Sequence, residues 1–144
     1  MRYFKHLIII ILIIAFGCAT PKEDFIIKAE VKNQKGKILV NGQTNLPDKA
    51  QLLISLKFKN KKDIIIQALP FIEKGKFKTV LTPKKLKKGK YEIRMEFSPQ
   101  AFDWSKGKVT EIVGEKGENL KGPYVKTLPD GTKILENTID FSYP

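Results

Sequence analysis

From residue 25 onward, apolar side chains recur at every second position in short runs broken by turn residues, and this pattern leaves the chain little choice of fold. Leu52, Ile54, Leu56 and Phe58 alternate with Leu53, Ser55, Lys57 and Lys59. Tyr91, Ile93, Met95 and Phe97 alternate with Glu92, Arg94 and Glu96. A period of two places one set of side chains on one face of extended backbone, the mark of a half-buried strand. Similar runs cover residues 25–32, with Ile27, Ala29 and Val31 on one face, and residues 37–44, 64–69, 77–81 and 133–141; a short one covers Val109 to Val113. Asn33-Gln34-Lys35-Gly36, Asn60-Lys61-Lys62-Asp63 and Glu73-Lys74-Gly75-Lys76 separate them as turns. Leu46-Pro47-Asp48-Lys49 and Leu128-Pro129-Asp130-Gly131 predict two type I turns, because Pro pre-sets φ at the second position and Asp suits the third.

No helix-period segment appears beyond the N-terminal run. About seven or eight strands joined by turns in ~120 residues predict an all-β fold, an antiparallel β-sandwich of the immunoglobulin-like or fibronectin-III-like kind; a small β-barrel is the alternative. That length is one domain with room for a real core. Cys18 is the only cysteine, so no disulfide framework can form and hydrophobic burial must hold the fold.

The first residues are of a different kind. Arg2 and Lys5 precede an unbroken Leu/Ile run from Leu7 to Ile14, followed by Ala15-Phe16-Gly17-Cys18. A positive start, a short apolar stretch and a small residue at the cut describe a secretory leader, and the run is shorter than the roughly 20 residues of a membrane span. With the cysteine directly after Gly17, the segment resembles a bacterial lipoprotein signal, although Ala15 and Phe16 depart from that pattern's usual Leu and small residue. The resemblance implies a leader of residues 1–17, a thiol at Cys18 that is lipidated, a tether of residues 18–24 and one domain over residues 25–144. It places the protein on the bacterial cell envelope, anchored in the membrane through Cys18, with the outer membrane an open option. Two or more acyl chains hold a protein stably on a bilayer.

His6 is the only histidine and lies in the leader. A chain that lacks it and carries a lipidated cysteine has no Ser-His-Asp triad, no Cys-His pair and no ordinary zinc site. We therefore expect no enzyme, no metal and no cofactor. Formal charge is +12, two units lower once Arg2 and Lys5 depart. Such an excess suits anionic lipid or a polyanionic glycan. Lysine supplies nearly all of it, with Arg2 and Arg94 the only arginines, and the richness in Lys, Ile and Asn is also what an AT-rich genome writes by default. Readers of nucleic acid recruit the arginine fork, so nucleic acid is not an expected partner.

Three local features carry weight. Lys84, Lys85, Lys87, Lys88 and Lys90 form the densest basic run, on a turn before the Tyr91 strand. A solvated turn that guards a sheet edge is the plain reading, and contact with an anionic partner the sharper one. Phe102-Asp103-Trp104 lies in a loop, where Trp104 either plugs one end of the sandwich or anchors a partner. Between Gly114 and Gly122, Glu115 and Glu118, with Asp48, are too few carboxylates for a confident metal site; a structured loop with Asn119 left-handed or capping backbone is the simpler reading. Together, Gly42-Gln43-Thr44-Asn45-Leu46-Pro47-Asp48, Leu86-Lys87-Lys88-Gly89-Lys90-Tyr91 and the Gly114 to Gly122 stretch resemble a recurring all-β domain of exported bacterial proteins, spanning roughly residues 28–142; no activity or active site follows from that resemblance. The expected function is non-enzymatic binding or adhesion to a protein or anionic envelope component, with Phe102, Trp104, Lys84, Lys85, Lys87 and Lys88 as contact residues. The alternative is a structural accessory of a larger envelope assembly.

Overall fold

A computed structural model describes residues 23–101 and 107–144. Cys18, Phe102 and Trp104 lie outside the described residues. The strands are β1 (Ile27–Gln34), β2 (Lys37–Thr44), β3 (Leu53–Phe58), β4 (Ile64–Ala68), β5 (Lys76–Leu81), β6 (Gly89–Phe97), β7 (Val125–Thr127) and β8 (Lys133–Tyr143). They form two antiparallel sheets, a three-stranded one in the order β1-β2-β5 and a five-stranded one in the order β4-β3-β6-β8-β7. The sheets stay open, so the barrel alternative falls. In a constant-type immunoglobulin order the fourth strand joins the first, second and fifth. Here β4 pairs with β3 instead, a switch to the fibronectin-III-like arrangement, and the short β7 extends the larger sheet beyond β8.

The alternation read from sequence sets the core. Ile27, Ile38, Val40, Phe77 and Leu81 from the small sheet meet Ile54, Leu56, Tyr91, Ile93 and Met95 from the large one, all buried. Cross-strand rings add specificity: Phe58, Tyr91 and Phe141 are register partners on β3, β6 and β8. Phe58 and Tyr91 stack with centroids 4.5 Å apart, Tyr91 and Phe141 with centroids 5.4 Å apart. Gly42 is directly opposite Phe77, and a Cβ there would lie 2.0 Å from the ring. Glycine lets that ring lie flat on β2.

Two hairpins turn on Lys-Gly. Lys35 (φ 52) and Gly36 (φ 83), and likewise Lys74 (φ 49) and Gly75 (φ 73), take positive φ at both central positions. That is the type I′ geometry whose twist matches a two-residue hairpin. Of the two Pro-Asp turns, Leu128 to Gly131 closes as expected, with Gly131 N–H donating to Leu128 C=O at 2.9 Å. The other is displaced by one residue. Ala50 N–H donates to Pro47 C=O, so Pro47 opens the turn and Lys49 (φ 68) takes its left-handed position.

The short run at 109–113 is not a strand. It is a helix, α1 (Lys108–Val113), bounded by Gly107 and Gly114, with Val109 and Val113 buried at i and i+4 and Glu111 and Ile112 turned outward. Two valines four apart satisfy a helix as well as a strand, so in so short a segment the period does not separate the two. Among the described residues no helix is long and apolar enough to cross a membrane.

Candidate functional site

The basic turn is pinned at its base. Tyr91 stands near the start of β6 with its ring buried, and its hydroxyl donates to Lys87 C=O at 2.6 Å and accepts from Lys87 N–H at 2.9 Å. This is the tyrosine corner of immunoglobulin-like sandwiches, and it fixes the backbone that carries Lys84, Lys85 and Lys87. Leu86, half-buried between those lysines, packs on the core. The β2–β5 register places Ile38 against Leu81, so the turn that follows β5 lies beside the start of β2. There Lys84, Lys85 and Lys87 meet Lys35 and Lys37 of the β1–β2 hairpin, around a cleft of about 530 Å³ whose lining includes Tyr143 and, among the described residues, no carboxylate side chain. Lys88 is exposed but does not line the cleft. Lys35, Lys37 and Tyr143 escape sequence reasoning, because only strand register brings them to the turn.

Charge is sorted between the two outer faces. On the large sheet, Glu92, Glu96, Glu136 and Asp140 alternate with core positions and are all paired. Lys57 meets Glu92 at 2.9 Å, Lys59 meets Asp140, and Arg94 holds Glu96 and, at 2.7 Å, Glu136. Arg94 is thus taken up within the sheet and not offered outward. On the small sheet, Lys28, Lys32, Lys37, Lys76 and Lys78 point outward, and Glu30 is the carboxylate of that face, 3.7 Å from Lys32. A face with five lysines and one carboxylate carries a net positive charge that attracts anions at a distance.

The start of the domain is fixed at the other end of β1. Asn45 accepts from Ile26 N–H at 2.8 Å and donates to Asp24 C=O at 2.9 Å, while Phe25 N–H donates to Lys121 C=O at 2.9 Å. The Gly114 to Gly122 segment is a hydrogen-bonded loop. Asn119 is not left-handed; its side chain donates to Ile112 C=O at 3.0 Å, capping the end of α1. Among the described residues no three acidic, His or Cys side chains are placed to hold a metal ion.

Glu118 and Asp130 lie in this region, and both have lowered pKa values. Glu118 is held down first by its own backbone N–H and then by that of Lys116; Asp130 first by the backbone N–H of Thr132 and then by its hydroxyl. A carboxyl lowered on folding stabilises above its unfolded pKa, and that contribution disappears as pH falls through the folded value. Glu118→Gln should therefore melt below the parent at neutral pH and converge with it in acid. Thermal melts across pH 2 to 7 (roughly the carboxylate range and above) check this, and a gap that widens toward acid would contradict it.

No protein-family model matches this chain, and no curated protein or solved structure matches it either.

Proposed function

We propose that this chain is a non-enzymatic binding module of the bacterial envelope, anchored by lipid at Cys18, which recognises an anionic envelope component or the acidic surface of a protein. The observation that supports this reading is the sorting of charge: one outer face has its carboxylates paired, while the other, together with the β5–β6 turn, gathers lysine. Genome bias raises the number of lysines, but it does not choose the sheet they stand on.

A specific observation also favours the accessory reading. β4 is a free edge of the large sheet and exposes Ile64 and Ile65, with no charge between Ile64 and Leu69. Such an edge accepts an added strand.

One experiment separates the two. Envelope extract is passed over the full-length protein, its Lys28→Glu/Lys78→Glu/Lys84→Glu/Lys85→Glu variant and its Ile65→Lys variant, with Cys18→Ser fractionated alongside. Binding through charge predicts a captured partner that is lost in the lysine variant and released by salt, and an unlipidated Cys18→Ser protein that leaves the membrane fraction. Loss confined to Ile65→Lys would replace this reading with assembly through the β4 edge.

A further inference from the structure

We propose that the pole of the sandwich formed by the β1–β2 hairpin and the β5–β6 turn is a phosphate-binding site, fitted to a linear polyphosphate chain rather than to the bilayer that holds the anchor. This rests on the reading of the chain as a lipid-anchored binding module and names its ligand.

The site has fixed stems. Lys35 sits at the first central position of a type I′ turn, with Asn33 accepting from Gly36 N–H at 3.2 Å. Lys87 is held through both its N–H and its C=O by the buried Tyr91 hydroxyl. Backbones set in advance reduce the ordering that binding requires, leaving only lysine side chains to settle. Tyr143 closes the cleft from β8; its hydroxyl lies 4.0 Å from where a Cβ on Gly36 would stand, and it adds a neutral donor to five ammonium groups. With no carboxylate side chain in the lining among the described residues, those ammonium groups repel one another until an oxyanion joins them. Lysine is a point-charge partner for phosphate, and several of them spread over two turns suit a chain of charges better than one ion.

The larger groove, of about 1180 Å³ near the Lys74–Gly75 hairpin, is less suited. Glu30 and Glu73 stand among its lysines and offset part of their charge.

Position decides between polymer and bilayer. The chain enters the domain at Asp24, tied by Asn45. β1 then runs eight residues away from that point, roughly 26 Å at about 3.3 Å per residue. The lysine pole is at the far end, so an anchor at Cys18 leaves it directed outward.

The test uses full-length protein in neutral lipid nanodiscs, titrated with inorganic polyphosphate, polyglutamate and phosphatidylglycerol vesicles. The expected result is preference for polyphosphate, weakened at least about tenfold by Lys35→Gln/Lys84→Gln/Lys85→Gln, with a smaller loss in Lys28→Gln/Lys76→Gln/Lys78→Gln and a shallower salt dependence in the pole variant. Equal loss in the two triple variants overturns the pole as the site and leaves the binding module standing. Equal affinity for polyglutamate overturns phosphate as the ligand. Pole-dependent binding to the vesicles as tight as to polyphosphate overturns the polymer assignment. Failure to bind any of these anions overturns both the site and the charge-based function, whereas a chain that does not enter nanodiscs counts against the lipid anchor alone.

Discussion

Replacing Tyr91 by Ala should cost about 3–5 kcal/mol of stability, the largest loss expected for a single side chain in this protein. The ring is fully buried and stacked between Phe58 and Phe141. Each stacked pair contributes about 0.5–1.5 kcal/mol beyond burial, and the hydroxyl adds two hydrogen bonds to Lys87. Domains of this size are held by about 5–15 kcal/mol, so the variant should lose a large share of its stability and melt well below the parent. Tyr91→Phe keeps the ring and removes only the corner, at about 1–2 kcal/mol, the usual range for losing hydrogen bonds that are only partly buried. Urea unfolding of the two variants separates ring from hydroxyl. Tyr91→Phe should also weaken anion binding at the pole without unfolding the domain, because it frees the turn that carries Lys84 to Lys87. A Tyr91→Ala loss below about 1.5 kcal/mol would mean that the ring ladder is not a unit of the core.

The second large effect is expected at Gly117. It is buried with φ 74, and a Cβ would lie 2.4 Å from the Lys133 carbonyl oxygen and 3.0 Å from Leu120 Cδ1. The carbonyl cannot swing aside, since Lys133 starts β8, pairs with Thr127 and donates its N–H to Lys116 at 2.8 Å. Left-handed backbone costs an L-residue about 1–2 kcal/mol, and the contact with backbone adds to it, so Gly117→Ala should lose more than about 2 kcal/mol. Gly131→Ala is the control: its φ is 85, but nothing lies within 4 Å of the added carbon. It should lose only the conformational part, about 1 kcal/mol. Equal losses at the two positions would show that β8 yields to the loop and that the close approach is not rigid.

Much of the fold was legible because period-two alternation is a local property. Leu52 to Phe58 and Tyr91 to Phe97 declare their inward faces without reference to any partner. Lys35-Gly36 and Lys74-Gly75 declare hairpins for a similar reason, since the turn and the strands beside it are adjacent in sequence. α1 was missed because six residues between two glycines contain one i, i+4 pair, too little to establish a period. β7, three residues long, carries no alternation worth the name. The candidate site was half legible. The lysines from Lys84 to Lys88 announce themselves by density, whereas Lys35, Lys37 and Tyr143 stand far from them in the chain and arrive only through the pairing of β2 with β5 and of β6 with β8.

The sequence by itself determined which side chains of β1, β3 and β6 turn inward, where most of the chain reversals fall, and that lysine exceeds carboxylate. Only the tertiary structure decided which strands share a sheet. That choice put Glu92, Glu96, Glu136 and Asp140 on the same face as Arg94, Lys57 and Lys59, where they pair, and left the lysines of β1, β2 and β5 facing outward together. Alternation acts over two residues and fixes the side of a strand. Partnership between strands depends on closing loops and burying two faces at once, and no single segment encodes that energy.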